Sequence, residues 1–355
     1  MSEKVRVLIT AVGGAGGGEQ ILKALRMADG DRYNITVTDS RPNQPQFQLA
    51  HNHELLPLAN DPSYLQQLMT VCRKHRIDAL FPGSEPELKV FAENLHVLRE
   101  AGLFVPINQP DIIKLCMDKD RTNERLTELG FAPPRGVRIR GDVALPEIDW
   151  WPAILKPASG SGGSANCYIV QSAEQLVSLM DYLASQMSHR DFILQEYVGT
   201  PDSEFTVGVL HDLDGKLVNS IALRRSLEGL MNVRLRAPNI TARTDLGPTL
   251  VVSSGISHGK VGKFPELTQQ CEAIAEALGS RGPLNIQCRF VEGRVRVFEI
   301  NPRYSGTTSL RAMAGHNEPD LMIRHHFLGE DIPRNAPVRE IEIIRHLAET
   351  IVAED

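Results

Sequence analysis

One segment near the end of the chain gathers oxygen donors at a spacing that could do chemistry. In NIQCRFVEGRVRVFEIN, residues 285–301, two alternating runs meet at Glu292-Gly293-Arg294, which reads as a hairpin turn. A hairpin centred on Gly293 puts Gln287 opposite Glu299. Side chains two apart on a strand share a face, so Asn301 joins them. Three oxygen donors on one surface suit a hard cation such as Mg2+, which binds through few protein groups plus substrate phosphates. An amphipathic sheet edge with scattered polar residues has the same appearance. A second segment, ILKPASGSGGSAN, places Lys156 at a strand end, just before Gly160, Gly162 and Gly163. Glycines let backbone N–H groups approach phosphate oxygens, and the lysine adds positive charge. It is no Walker A loop, because the lysine precedes the glycines. A flexible surface loop is the alternative.

Further groups are less specific. Arg224, Arg225, Arg234, Arg236 and Arg243 crowd twenty residues, as an anion-recognition surface or as a solvated basic strand pair. His258 lies in SSGISHGK, a segment that could move near a substrate, whereas His325-His326 reads as surface or core. No Ser-His or Cys-His arrangement for covalent catalysis stands out. AVGGAGGGEQ, residues 11–20, follows an apolar strand and opens a helix, as a dinucleotide site would. Asp39, 23 residues after Gly16, stands where a ribose-binding acid is expected. The register fails, however. Taking Gly14 and Gly16 as the first two positions of G-x-G-x-x-G puts Glu19 at the third, and taking Gly13 and Gly18 as the outer ones puts Ala15 in the middle.

These residues must be positioned by regular elements. Residues 4–107 alternate strands (VRVLIT, YNITVTDS, IDALFPG, LFVPIN) with helices (EQILKALRMA, PSYLQQLMTVCRKH, ELKVFAENLHVLREAG), which predicts a parallel sheet covered by helices. Ligands of such sheets bind at the carboxyl ends of strands. Those ends carry the glycine loop, Asp39 and PGSEPE with Ser84, Glu85 and Glu87. A helix over IIKLCMDKDRTNERLTELG follows, then strand AILKPA, the glycine-rich loop, strand CYIV and helix SAEQLVSLMDYLASQ. Residues 191–302 are rich in strands, interrupted by helix ELTQQCEAIAEALG.

Composition narrows the function class. At 355 residues two or three domains are expected. The net charge of −6 argues against non-specific nucleic-acid binding. The five cysteines are odd in number and show no CxxC spacing, which argues against a disulfide framework and fits a reducing cytoplasm. No secretory signal and no membrane span is expected, since VLITAV is short and no apolar run nears 18 residues.

Four segments in order resemble the ATP-grasp superfamily, over about residues 1–335. MDKDRTNERLTELGFAPPRG resembles its opening helix, AILKPASGSGGSAN its second lysine and glycine lid, LQEYVGTPDSEFTVGV its adenine hinge and ribose acid, and FEINPRYSGTTSLRA its metal strand. The flavour is that of carbamoyl-phosphate-synthetase-like and amino-acid-ligase members. The resemblance implies a mixed α/β and α+β fold: a Rossmann-like pre-ATP-grasp domain (1–110), a small lobe with the lid (111–190), a large lobe with the metal site (191–335) and a C-terminal extension (336–355).

It also implies roles. Lys119 and Lys156 would contact phosphates beneath Gly160, Gly162 and Gly163. The Glu196 carbonyl and Val198 N–H would meet adenine, and Glu204, with Asp202 as alternative, the ribose. Gln287, Glu299 and Asn301 would hold Mg2+, or Mn2+, and Arg303 would clamp the transferring phosphoryl group. Gln287 stands where many members have a carboxylate.

The implied activity is an ADP-forming carboxylate–amine ligase acting on small molecules, with an amino acid as one substrate and a homodimer as a possible assembly. One such half is present where a carbamoyl-phosphate synthetase large subunit has two. Arg234 or Arg236 would receive the acceptor's carboxylate and Glu85 or Glu87 its ammonium; otherwise these acids simply favour a helix N-terminus. The glycine loop, Gly14 included, then serves the second substrate, and Asp39 becomes a wall residue. Carboxyphosphate and carbamate chemistry is the near alternative. A non-catalytic ATP sensor would not need Glu299, Asn301 and Arg303 together, and a pyridine-nucleotide dehydrogenase lacks a catalytic acid or base motif after its nucleotide half.

Overall fold

The structure, a computed structural model, describes residues 4–14, 16–140, 145–160, 165–186 and 191–352. The first sheet is built from β1 (Val5–Ile9), β2 (Tyr33–Asp39), β3 (Asn52–Leu55) and β4 (Ala79–Phe81), all parallel, in the order β3-β2-β1-β4. Val7-Leu8-Ile9 of β1 and Ala79-Leu80-Phe81 of β4 are buried on both faces, so they read as continuous apolar runs. Leu8 and Leu80 face one core with Leu68, Leu88 and Phe91; Val7, Ile9 and Phe81 face another with Ile21, Leu22 and Leu25. The strand order reverses between β1 and β4. A doubly wound sheet opens its ligand crevice at such a point, here between the glycine loop after β1 and Gly83-Ser84-Glu85 after β4.

Three expectations change here. The run LFVPIN contributes only Phe104, bridged to Ala79, because Pro106 has no N–H for a ladder. The edge strand β3 is NHEL, too short and polar to announce itself. The long helix expected from residue 112 divides into Pro110–Cys116 and Lys119–Glu128. Asp118 divides it by capping the second helix, its carboxylate accepting the amides of Asp120 (3.1 Å) and Arg121 (3.2 Å).

The second sheet holds β5 (Gly136–Ile139), β6 (Ala153–Pro157), β7 (Tyr168–Val170) and β8 (Phe192–Glu196), in the antiparallel order β5-β8-β6-β7. Its outer face packs on helix Ala173–Gln186 through Leu176 and Leu183. Next come β9 (Glu204–His211) and β10 (Leu217–Arg225), the separate pair β11 (Val233–Pro238) and β12 (Thr249–Ser253), β13 (Gly259–Gly262), β14 (Pro283–Val291), β15 (Arg294–Asn301) and β16 (Ile341–Ile343). The large sheet runs β15-β14-β9-β10-β13-β16. The stretch read as a C-terminal extension therefore supplies an edge strand, with Ile341 opposite Val261. Helix Pro265–Ala277 covers this sheet through Leu267, Cys271 and Ile274. Among the described residues, no helix is long and apolar enough to cross a membrane.

Gly208, in the middle of β9, makes room for a buried ion pair. A Cβ there would lie 2.5 Å from Arg311 Cζ and 2.6 Å from Glu318 Oε1. Arg311 donates to Glu318 (3.0 Å) and to Asn285 Oδ1 (2.5 Å), and both charged side chains are almost wholly buried.

Candidate active site

The hairpin turn is Glu292-Gly293, flanked by the pair Val291↔Arg294, and both turn residues have positive φ (51° and 73°). This is the geometry of a two-residue type I′ loop. Continued without interruption, that register would set Gln287 against Phe298. A bulge intervenes: Cys288 faces Val297, Phe298 is the extra residue, and Gln287 faces Glu299. The expected pairing is present, with Asn301 opposite Asn285. The bulge has a second effect. The Phe298 carbonyl accepts a hydrogen bond from Lys156 Nζ (2.9 Å), which also donates to Gln195 Oε1 (2.7 Å).

Lys156, one residue before the end of β6, is buried. Burial lowers its pKa from the ordinary 10.5 to about 8; Glu299 opposes the shift and Lys119 adds to it. Lys119, also buried, heads its helix, and its amide donates to the Ala158 carbonyl just past Lys156 (3.0 Å). Lys156 and Lys119 thus stand on adjoining hollows that share Glu299, Gln195 and Phe298 in their walls. Gly160 leads away from them with φ +70° and open space around its Cα. Gly162 and Gly163 lie outside the described residues.

The pocket continues along Glu196, Tyr197 and Val198 to Glu204, Gln287 and Arg289. The Glu196 side chain turns toward Arg135 (3.2 Å), Arg243 (3.7 Å) and Arg296 (3.9 Å). Glu204 is buried, and its Oε1 has no hydrogen-bond partner among the described residues. Asp202 instead pairs with the exposed Arg224. Cys167 lines the same pocket. Burial pushes its thiol pKa up, Glu299 adds to the rise, and Lys156 and Lys119 oppose it; Arg234 is exposed on β11.

Beyond the metal-type donors, Arg303 reaches across to the first sheet. It donates to Glu85 (2.8 Å), to Asn301 Oδ1 (3.3 Å) and to the Tyr304 carbonyl (3.1 Å). Burial alone would raise the Glu85 carboxyl; Arg303, helped by Lys119, holds it below the ordinary range. Gly14 takes φ +71° in the loop facing this crevice, while Asp39 accepts from the backbone amides of Gly13 (2.9 Å) and Arg41 (3.1 Å).

Two candidates are corrected. Glu87 does not face the cleft. It closes a capping box with Ser84, whose hydroxyl donates to it (3.0 Å), and accepts from the buried Tyr64 hydroxyl (2.9 Å). Arg236 donates to the Leu227 carbonyl (2.8 Å) and lines a separate groove against β7. His258 is held by Asn232 (2.8 Å). His325 and His326 stand near Asp212, whose carboxylate is already filled by Arg334 (2.5 Å) and the Asp214 and Lys216 amides. Sequence reasoning missed Arg289 and Gln195. A signal existed for Arg289, two residues from Gln287 on one strand face.

The residues fit a magnesium nucleotide. An amide oxygen, a carboxylate and a second amide oxygen form a hard donor set, two buried lysines stand beside it, and the orphaned Glu204 oxygen needs a donor.

Residues 7–107 match a family model described as the PylC-like N-terminal domain, and residues 252–350 one described as the ATP-grasp of the biosynthetic pathway with the Ter operon. The chain is 24% identical to the carbamoyl phosphate synthase large chain of Thermoplasma acidophilum over 311 residues, which is 84% of this chain and 27% of that one. To the Neisseria meningitidis serogroup A large chain it is 28% identical over 231 residues, covering 63% and 19%. It thus spans about a quarter or less of the length of these relatives. In fold it is similar to L-amino acid ligase from Bacillus licheniformis (TM-score 0.62, 16% identity, 92% of this chain and 74% of that one). It is also similar to D-alanine–D-alanine ligase from Bacillus anthracis complexed with ATP (TM-score 0.56, 15% identity, 91% and 97%).

Proposed function

We propose that this ATP-grasp protein is an ATP-dependent carboxylate–amine ligase for small molecules, with an amino acid as one substrate. One observation carries the reading: Lys156, Gln287 and Glu299 line one pocket, Lys119 stands on an adjoining hollow that shares Glu299, and Arg303 is hydrogen-bonded to Asn301 two residues beyond Glu299 (3.3 Å). In the pocket, the Glu196 carbonyl and Val198 N–H would take the adenine edge and Glu204 the ribose. Gln287, Glu299 and Asn301 would hold Mg2+, or Mn2+, which neutralises phosphate charge when bound.

Phosphoryl transfer asks mainly for positioning and charge neutralisation. Lys119 and Lys156 would supply fixed positive charge on the phosphates. A carboxylate oxygen of the substrate attacks the γ-phosphorus, the bond to the β-phosphate oxygen breaks, and ADP leaves. The resulting acyl-phosphate is then attacked at carbon by the amine, which loses a proton to solvent as phosphate departs. Arg303 can stabilise both developing anions, since its fork matches carboxylate and phosphoryl oxygens. The loop at Gly160, Gly162 and Gly163 would exclude water from the acyl-phosphate.

At the acceptor end, Arg303 and Glu85 form an ion pair that a zwitterionic amino acid can replace charge for charge, and Gly14 and Arg234 would complete that site. Carbamoyl-phosphate-type chemistry is the second reading. The large-chain relatives and the neutral Gln287 favour it, and turnover with bicarbonate as sole carboxyl donor would establish it.

The test is thermal stabilisation by Mg-ATP against NAD, followed by ADP release screened over amino, hydroxy and sugar acids with amine donors. Stabilisation by Mg-ATP with loss of ADP release in Glu299→Ala, the fold intact, is expected. Stabilisation by NAD alone refutes the ligase reading.

A further inference from the structure

Three strands meet at the floor of the pocket through Glu204 (β9), Arg225 (β10) and Arg289 (β14), all buried. Arg289 spreads its N–H donors over four acceptors. Nε and Nη2 donate to Glu204 Oε2 (3.4 and 3.2 Å), Nη2 also to the Val251 carbonyl (3.0 Å), and Nη1 to the carbonyls of Val198 (3.1 Å) and Gly199 (3.0 Å). Its guanidinium carbon lies 4.3 Å from the Tyr197 ring centre. One side chain therefore ties residues 197–199 to β12 and to Glu204.

Arg225 stands differently. It donates to Ser253 Oγ (3.0 Å) and to the carbonyls of Ser254 (2.7 Å) and Ile256 (3.1 Å), and comes within 3.4 Å of Glu204 Oε1 as an ion pair. The two Glu204 oxygens are thereby made unequal. Oε2 is filled, whereas Oε1 is buried and accepts no hydrogen bond among the described residues. Two buried guanidinium groups flank the carboxylate, and the unfilled oxygen belongs to a residue that lines the pocket.

We infer that Arg289 is a positioning residue for nucleoside recognition: by consuming Glu204 Oε2 and bracing the Val198-Gly199 carbonyls, it leaves Glu204 Oε1 as a fixed acceptor for a sugar hydroxyl, so that this pocket selects ribose over deoxyribose. The inference rests on the nucleotide reading of the pocket. A lysine at this position would keep the charge with three donors in place of five, and would not span Glu204 and three carbonyls.

The test is calorimetric titration with ADP and with 2′,3′-dideoxy-ADP, in wild type, Arg289→Lys and Arg289→Met, with cooperative thermal unfolding checked for each. One hydrogen bond to a charged acceptor corresponds to a wild-type preference for ADP of about tenfold or more. Arg289→Lys and Arg289→Met should weaken ADP about tenfold and reduce the preference to within about twofold, an effect that general loosening of the fold would not direct at the sugar. Wild type binding both ligands equally overturns the inference whatever the variants do. Arg289→Lys or Arg289→Met retaining the full preference overturns the part given to Arg289. Wild type binding neither ligand overturns the nucleotide reading beneath it.

Discussion

On the proposed function, Lys156 would set the pH dependence of nucleotide binding. Buried between the bulge carbonyl and Gln195, its ammonium has a pKa of about 8 in the empty protein, against the ordinary lysine value of 10.5. At about 1.36 kcal/mol per pKa unit this is roughly 3 kcal/mol of desolvation that bound phosphates would help to offset. The sign follows directly. Phosphate binds the charged form, so affinity is full below about pH 8 and declines above it. If phosphate restores the bound pKa to its ordinary range, Mg-free ADP should bind about twentyfold more weakly at about pH 9.5 than at about pH 7.5. The empty protein should show the opposite trend, this group adding stability as pH rises from about 8 to 10.5, where the unfolded chain holds the extra proton. The assay is calorimetric titration across that range, with Lys156→Arg as the always-charged control. That variant should flatten the profile. A flat profile in wild type, or an equal slope in Lys156→Arg, refutes the placement of Lys156 on the phosphates.

Glu85→Gln removes the charge partner of Arg303 across the cleft; the KM for the amine substrate should rise about tenfold or more, with that for ATP within about twofold, measured by coupled ADP release. Gly208→Ala should destabilise the protein by about 2–4 kcal/mol in denaturant titration, because the new methyl group meets the buried Arg311–Glu318 pair. Arg311→Met should be at least as damaging, about 3–5 kcal/mol, since it strands a buried carboxylate.

Much of the site is legible in the sequence because its chemistry lies in short local patterns, and the rest hides where the backbone departs from regularity. A hairpin centred on Gly293 sets Gln287 opposite Glu299, yet the turn is two residues long and the pairing survives only through the bulge at Phe298. Alternation of side chains carries no sign of a bulge, so the carbonyl that holds Lys156 is invisible in the sequence. Glu85 and Glu87 look equivalent in PGSEPE. The S-x-x-E spacing from Ser84 to Glu87 is a capping box, and weighing it assigns Glu87 to the helix and leaves Glu85 for the cleft. The arginines of residues 224–243 divide by burial, which spacing does not reveal: Arg225 faces Glu204, Arg236 serves a loop carbonyl and Arg243 pairs with Asp245. Edge strands β3 and β16 escape notice because three or four residues, partly polar and paired on one side, lack a hydrophobic signature.

The central claim, transfer of a phosphoryl group to a substrate carboxylate before amine attack, is tested most directly by isotope. With a carboxylate substrate found in the ADP-release screen and labelled with oxygen-18, the account predicts that one labelled oxygen per turnover appears in inorganic phosphate. Turnover that yields unlabelled phosphate would contradict it.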